Sequence, residues 1–125
     1  DQNSFYSGVT VGTHPQQRMN RDGLPRNERR EVIRCPHLEA MGLDACNSAI
    51  IAAESSCNTA ARHKNNGIGL CAIENDGRRK IRGEECRRIG TLDEQLRCCR
   101  SITDRMGKRY YGGRTRRIAG AACGW

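Results

Sequence analysis

Hydrophobic and polar positions divide the chain into an unpatterned opening and a periodic remainder. Residues 1 to about 25 are polar, punctuated by Gly8, Gly12, Pro15, Gly23 and Pro25, with no helical period. They are expected to form an irregular arm, with a short strand at Val9–Val11. The cysteine-bearing part begins near Asn27, which sets an arm over residues 1–26 and a domain over 27–125. A first helical stretch is expected from Glu28 toward Met41, broken or restarted at Pro36 and stopped by Gly42. Asp44 caps a second helix reaching about Ser56. Its Cys46, Ala49, Ile50, Ala53 and Cys57 recur at three- and four-residue spacing, and Ile51 and Ala52 cover much of the remaining surface. A helix that is apolar nearly all round belongs in the centre of a domain. One acid interrupts it near its C-terminal end, Glu54.

A polar loop over residues 58–69 follows, ending Asn65-Asn66-Gly67-Ile68-Gly69, and a second, charged loop follows Gly77. Thr91-Leu92-Asp93-Glu94 reads as a capping box. The helix it opens carries Leu92, Leu96, Cys99, Ile102 and Met106 on one face and stops at Gly107. A short helix at about Arg114–Ala122 ends the chain. There is no internal repeat and no heptad pattern, so the expected fold is a small, mostly α single domain. The length, 125 residues, suits one domain and not two. No apolar run approaches the roughly 18 residues of a membrane span, which leads to the expectation of a soluble protein. The absence of an initiator Met and of a signal-peptide pattern suggests a processed or trimmed form.

Composition changes the picture in two ways. The first is sulfur: eight cysteines (Cys35, Cys46, Cys57, Cys71, Cys86, Cys98, Cys99 and Cys123) accompany only five aromatic residues. No C-x-x-C pair occurs and His14, His37 and His63 are far apart, which argues against zinc. Four disulfides and an oxidising compartment are the expectation, with bridges of roughly 2–4 kcal/mol each compensating for a core poor in rings. Cys46 and Cys57 on one helix would stand about 16 Å apart and cannot pair with each other. Adjacent Cys98 and Cys99 leave a helix in different directions and should reach two different partners. The remaining connectivity is open.

The second is charge: 22 Lys/Arg against 14 Asp/Glu give a net +8, spread over Arg26–Arg30, Arg78–Arg82, Arg87–Arg88 and Arg114–Arg117. Such charge serves either as a solvated face or as an attraction for a polyanion. Stacking aromatics are scarce and no nucleic-acid motif is present, so nucleic acid is disfavoured. A bacterial cell wall, with its peptide carboxylates, is an equally good anionic target on charge alone.

Glu54 carries the candidate chemistry. A carboxylate on an apolar helix is desolvated, which favours its protonated form. It is either paired with an arginine, or turned to solvent, or a general acid held neutral until it protonates a leaving group. The surrounding line, Ala52-Ala53-Glu54-Ser55-Ser56-Cys57-Asn58 and then Asn66-Gly67-Ile68-Gly69-Leu70-Cys71-Ala72-Ile73, resembles the lysozyme-like superfamily, goose-type lysozymes and soluble lytic transglycosylases in particular. Glu54-Ser55 matches the family's acid-serine pair and Gly69-Leu70 the start of its Gly-Leu turn, with Cys71-Ala72 in place of Met-Gln. Leu38–Asp44, Thr91–Met106 and Ile118–Gly124 fall in the order of further family elements. Ala121 and Ala122 stand where that family has Tyr and Asn, and Tyr110 or Tyr111 is the candidate substitute.

The resemblance implies a lysozyme-like domain over about residues 35–124 that cuts the β-1,4 bond between N-acetylmuramic acid and N-acetylglucosamine in peptidoglycan. It implies Glu54 as the proton donor and no cofactor or metal. It puts Glu74 where goose-type lysozymes carry an acid that positions water, with Asp76 in reserve; both are otherwise ordinary loop acids. That position favours a muramidase over a lytic transglycosylase, which forms 1,6-anhydro products without water. Ser55, Asn66, Gly69 and Leu70 would border the substrate, and Ser55 would orient Glu54 unless it is a plain helix-end hydroxyl. His63 would touch substrate unless it is a solvated loop residue. The size, charge and cysteines are similar to those of type VI secretion glycoside hydrolase effectors, which would imply secretion or delivery to a bacterial periplasm and a periplasmic immunity protein that plugs the cleft. The competing class is a non-enzymatic, basic, disulfide-rich binding protein.

Overall fold

In the computed structural model the described residues are 23–63, 67–74 and 86–125. The expected strand at Val9–Val11, together with Asn66, Asp76 and the run 78–82, lies outside them. Among the described residues, four α-helices and one small hairpin form a mostly helical domain: α1 Pro36–Ala40, α2 Ala45–Ser55, β1 Gly67–Ile68, β2 Ile73–Glu74, α3 Leu92–Met106 and α4 Gly113–Cys123. A 3-10 turn over Gly107–Tyr110 joins α3 to α4. The hairpin is antiparallel, with Gly67 opposite Glu74 and Ile68 opposite Ile73.

The long helices form where their caps and apolar positions put them. Asp44 accepts from the Asn47 amide at the head of α2, and Ser56 closes it in the left-handed region. Thr91 accepts from the Glu94 amide (3.1 Å) while Glu94 accepts from the Thr91 amide (3.0 Å), a reciprocal box that satisfies two otherwise unpaired donors of α3. The first stretch differs from expectation: residues 28–35 are not helical. Asn27 Oδ1 accepts from the amides of Arg29 and Glu31, both at 3.0 Å, and Arg30 takes a positive φ of 63°. This side-chain-directed turn competes with a helix, and the helix starts only at Pro36, whose missing donor suits its first turn. Packing starts slightly earlier than the expected boundary at Asn27, since Leu24 is buried and Arg26 bridges to Val32.

The core is built on α2. Ile50, Ile51 and Ala52 are fully buried and meet Leu38 of α1, Leu96 and Ile102 of α3, and Leu70 and Ile73 of the hairpin. All eight cysteines are paired: Cys35–Cys57, Cys46–Cys123, Cys71–Cys99 and Cys86–Cys98. Cys46 and Cys57 have different partners, and adjacent Cys98 and Cys99 staple α3 to two separate segments. Cys35, Cys57, Cys71, Cys86, Cys98 and Cys99 are buried, so sulfur occupies core volume that rings fill in other small domains. No helix among the described residues is long and apolar enough to cross a membrane. Four disulfides fit an oxidising compartment.

Helices α2 and α4 pack against each other antiparallel. The bridge Cys46–Cys123 joins the first turn of α2 to the last residue of α4. A hydrogen bond between Glu54 and Thr115 joins the last turn of α2 to the first turn of α4. The helix pair thus has a covalent end and a polar end.

Candidate functional site

The polar end gathers the chemistry. Glu54 sits one residue before the end of α2 and is half-buried. Its Oε1 accepts from the Thr115 hydroxyl at 3.0 Å. Burial pushes its carboxyl above the ordinary value, and that effect outweighs the opposing Thr115 hydrogen bond and the charges of His63 and Arg114. Glu54 makes no ion pair within 4 Å among those the structure describes, which sets it apart from Glu31, Glu39 and Asp93. The arrangement leaves one carboxyl oxygen oriented by a hydroxyl.

Three segments adjoin this end of the helix pair. Immediately after α2, Ser56 and Cys57 both hold positive φ, 53° and 66°. Two consecutive non-glycine residues in the left-handed region store backbone strain. They turn the chain sharply so that Cys57 reaches Cys35, and the Cys57–Cys35 bridge holds the turn in place. His63 then lies half-buried with Nε2 2.9 Å from the Gly69 carbonyl. A carbonyl only accepts, so Nε2 carries a proton in this contact. His63 is thereby held in place and is not a solvated loop side chain.

The Gly-Leu turn serves as a packed joint. Gly69 has a φ of 76°, and a Cβ there would collide with the Gln95 side chain. Gln95 is buried on α3 and accepts from the Leu70 amide at 3.0 Å, while Leu70 is fully buried. Glycine is required at position 69 by both conformation and space, and the pair Gly69-Leu70 locks the hairpin to α3.

The third segment is aromatic. Tyr111 is buried beside Glu54, and its hydroxyl lies 2.8 Å from Thr103 Oγ1. Thr103 donates to Asn47 Oδ1 at 2.7 Å, and Asn47 Nδ2 donates to the Asp44 carboxylate, which links Tyr111 to the head of α2. Burial first, then the nearby Glu54 charge, drives the Tyr111 phenol upward, while the Thr103 hydrogen bond opposes them. Tyr110 packs edge-on to Tyr111 at 5.1 Å and Trp125 stacks on it at 5.7 Å.

Of the residues singled out from sequence, the structure brings together Glu54, His63 and Tyr111. Ser55 is buried and donates to the Ile51 carbonyl within its own helix (3.0 Å), which leaves the orienting role to Thr115. Glu74 lies in β2 opposite Gly67, whose carbonyl accepts from the His63 amide at 3.1 Å. Asn66 lies outside the described residues, as does the Glu74 side chain. Ala121 and Ala122 line a separate cavity of about 320 Å³, together with Ile33, Arg34, Ala49 and Arg117, toward the covalent end of the helix pair; Glu54 does not line it. Thr115, Arg114 and Glu31 carried no sequence signal beyond a first-turn hydroxyl and a scatter of charge. Comparison with protein-family models, with curated proteins and with solved structures finds no match for this chain.

Proposed function

We propose that the protein is a peptidoglycan glycosidase, a muramidase that uses Glu54 as its general acid. The observation that supports this most is the combination at Glu54: a half-buried carboxyl that burial keeps toward its protonated form, with one oxygen held by Thr115. A solvated or arginine-paired glutamate would be ionised at neutral pH and unable to donate. The resemblance of Glu54-Ser55 and Gly69-Leu70 to lysozyme-like enzymes supplies the substrate class. The basic charge suits a wall rich in carboxylates.

In this reading the Glu54 carboxyl gives its proton to the glycosidic oxygen as the bond to the muramic acid breaks and positive charge builds on that sugar. Glu74 takes a proton from the water that attacks the same carbon, as inverting enzymes arrange two carboxyls about 6.5–9.5 Å apart. Burial lowers the local dielectric, which biases the acid toward its loaded form and reduces the reorganisation that the proton transfer costs. The setting that suits a small disulfide-stapled enzyme is secretion or delivery into a bacterial periplasm. The producer then needs an immunity protein whose acidic surface meets this basic one, with charge speeding association.

The deciding experiment is clearing of purified peptidoglycan, followed by mass spectrometry of the released muropeptides. Wild-type protein is expected to clear the suspension and leave reducing ends, and Glu54→Gln to clear nothing. Clearing by the variant would overturn the reading. Anhydro ends from the wild type would make the enzyme a lytic transglycosylase, and inactive wild-type protein that still binds the wall would return it to the class of basic binding proteins.

A further inference from the structure

Glu31 lies in the loop ahead of α1, yet it organises the first turns of α4. Its Oε2 accepts from Arg114 Nε at 3.1 Å, and Arg117 donates to both of its oxygens at 2.9 and 2.8 Å. Asn27 Nδ2 donates to Oε1 at 2.9 Å, while Asn27 Oδ1 accepts from the Glu31 amide. Hydrogen bonds from Arg117 first and Asn27 second hold the Glu31 carboxyl down at about 2, so it is ionised at any working pH. Arg117 alone gives this carboxylate a bidentate partner and neutralises it. Arg114 is a second cation on one anion, held by a single contact, with its side chain 58% exposed.

Arg114 is also the residue next to Thr115, whose hydroxyl touches Glu54. Its charge already acts on Glu54 in the direction that favours ionisation. We propose that Glu31 is a positioning residue for Glu54: by tying the Arg114 guanidinium to the Asn27 turn, it keeps that cation from closing an ion pair with the acid. The functional significance rests on the reading of Glu54 as proton donor. The other groups facing Glu54 are His63 from the loop after α2, Tyr111 ahead of α4, and Thr115. Arg114 is the permanent cation of this set, and its long side chain is half in solvent. A guanidinium at hydrogen-bonding distance would favour the ionised carboxyl and weaken it as an acid.

The test is a carbon-13 NMR titration of the Glu54 carboxyl, its signal assigned by its absence from Glu54→Gln, in the oxidised full-length protein. Glu31→Gln is expected to lower the midpoint by about one pH unit, the scale of an opposite charge arriving at close range. The double variant Glu31→Gln/Arg114→Met restores it to the wild-type position. Asn27→Ala, which keeps every charge but removes the turn that aims Glu31, lowers it by a smaller amount. An unchanged midpoint in both Glu31→Gln and Asn27→Ala overturns the proposal. So does a lowered midpoint that persists in the double variant, since the lost Glu31 charge and not Arg114 would then be the cause. Lysis is read separately: its alkaline limb moves down with the midpoint in Glu31→Gln. A midpoint that moves while the limb stays fixed removes Glu54 as the acid and leaves the Glu31–Arg114 relation standing.

Discussion

The two ends of the α2–α4 pair are built from opposite materials. At one end a disulfide, Cys46–Cys123, closes a span of 77 residues. At the other, a partly desolvated acid, a threonine hydroxyl and an arginine drawn aside by Glu31 meet beside a strained turn. The first end restricts the unfolded chain and adds stability; the second holds groups that favour unfolding or ionisation. A small domain tolerates an unfavourable acid because the same two helices are clamped elsewhere. The cavity near Ala121 and Ala122 lies along the same helix seam but is not lined by Glu54.

Breaking the covalent end has the largest effect. Full reduction should lower the melting temperature by well over roughly ten degrees, since each of the four bridges contributes on the order of 2–4 kcal/mol. Within that total, Cys46→Ala/Cys123→Ala should cost about 4 kcal/mol and Cys86→Ala/Cys98→Ala, closing a span of 12 residues, about 3. Denaturant melts of the two double variants rank them, and an equal cost would mean that loop length does not govern this chain. An unaltered melt after reduction would mean the clamp is idle.

At the polar end, Glu54→Gln should reduce lysis by about 100-fold or more, the usual contribution of a positioned acid. Thr115→Val should reduce it by about 3- to 10-fold through loss of orientation. Because the Thr115 hydrogen bond lowers the Glu54 carboxyl, its removal should move the alkaline limb of the pH profile upward, and a limb moving downward would contradict the assigned bond.

The smallest effect concerns stability against pH. Burial raises the Glu54 carboxyl in the folded state above its unfolded value near 4.5. Its contribution is therefore fully present below that value and is lost as pH rises through the raised folded value. Glu54→Gln, which keeps the Thr115 contact, should melt with the wild type in acid and a few degrees above it at alkaline pH. Coincident melts across the whole range would show that the acid carries no desolvation cost.

The helices are legible in the sequence, whereas the Cys46–Cys123 pairing at one end and most of the polar end are not. The Asp44 cap, the Thr91 box and the period of Ile50, Ala53 and Cys57 are local signals, and the helices follow them within a residue or so. The divergence of Cys98 and Cys99 follows from helix geometry alone. The stretch 28–35 was misread because helix-compatible residues there are overruled by the Asn27 side chain, a local competitor that composition does not reveal. Glu54 stood out as an acid on an apolar helix. Its partner did not, because Thr115 lies 61 residues away and a first-turn threonine is unexceptional. Ser55 was the nearer hydroxyl in sequence, but the helix turns it onto the Ile51 carbonyl. Glu31 was hidden for the same reason as Thr115: Arg114 and Arg117 lie 83 and 86 residues from it.

The scarcity of rings leaves the chain with a single indole, Trp125, lying flat against Tyr111 and anchored through its amide to the Gly120 carbonyl at 2.9 Å. Intrinsic fluorescence excited at the red edge therefore comes from one known position, at the seam between the last helix and the ring that neighbours the acid. Undocking of that helix, arrival of a glycan or capture by an inhibitor can be followed in the unlabelled protein, with no dye and no introduced cysteine to disturb its oxidation state.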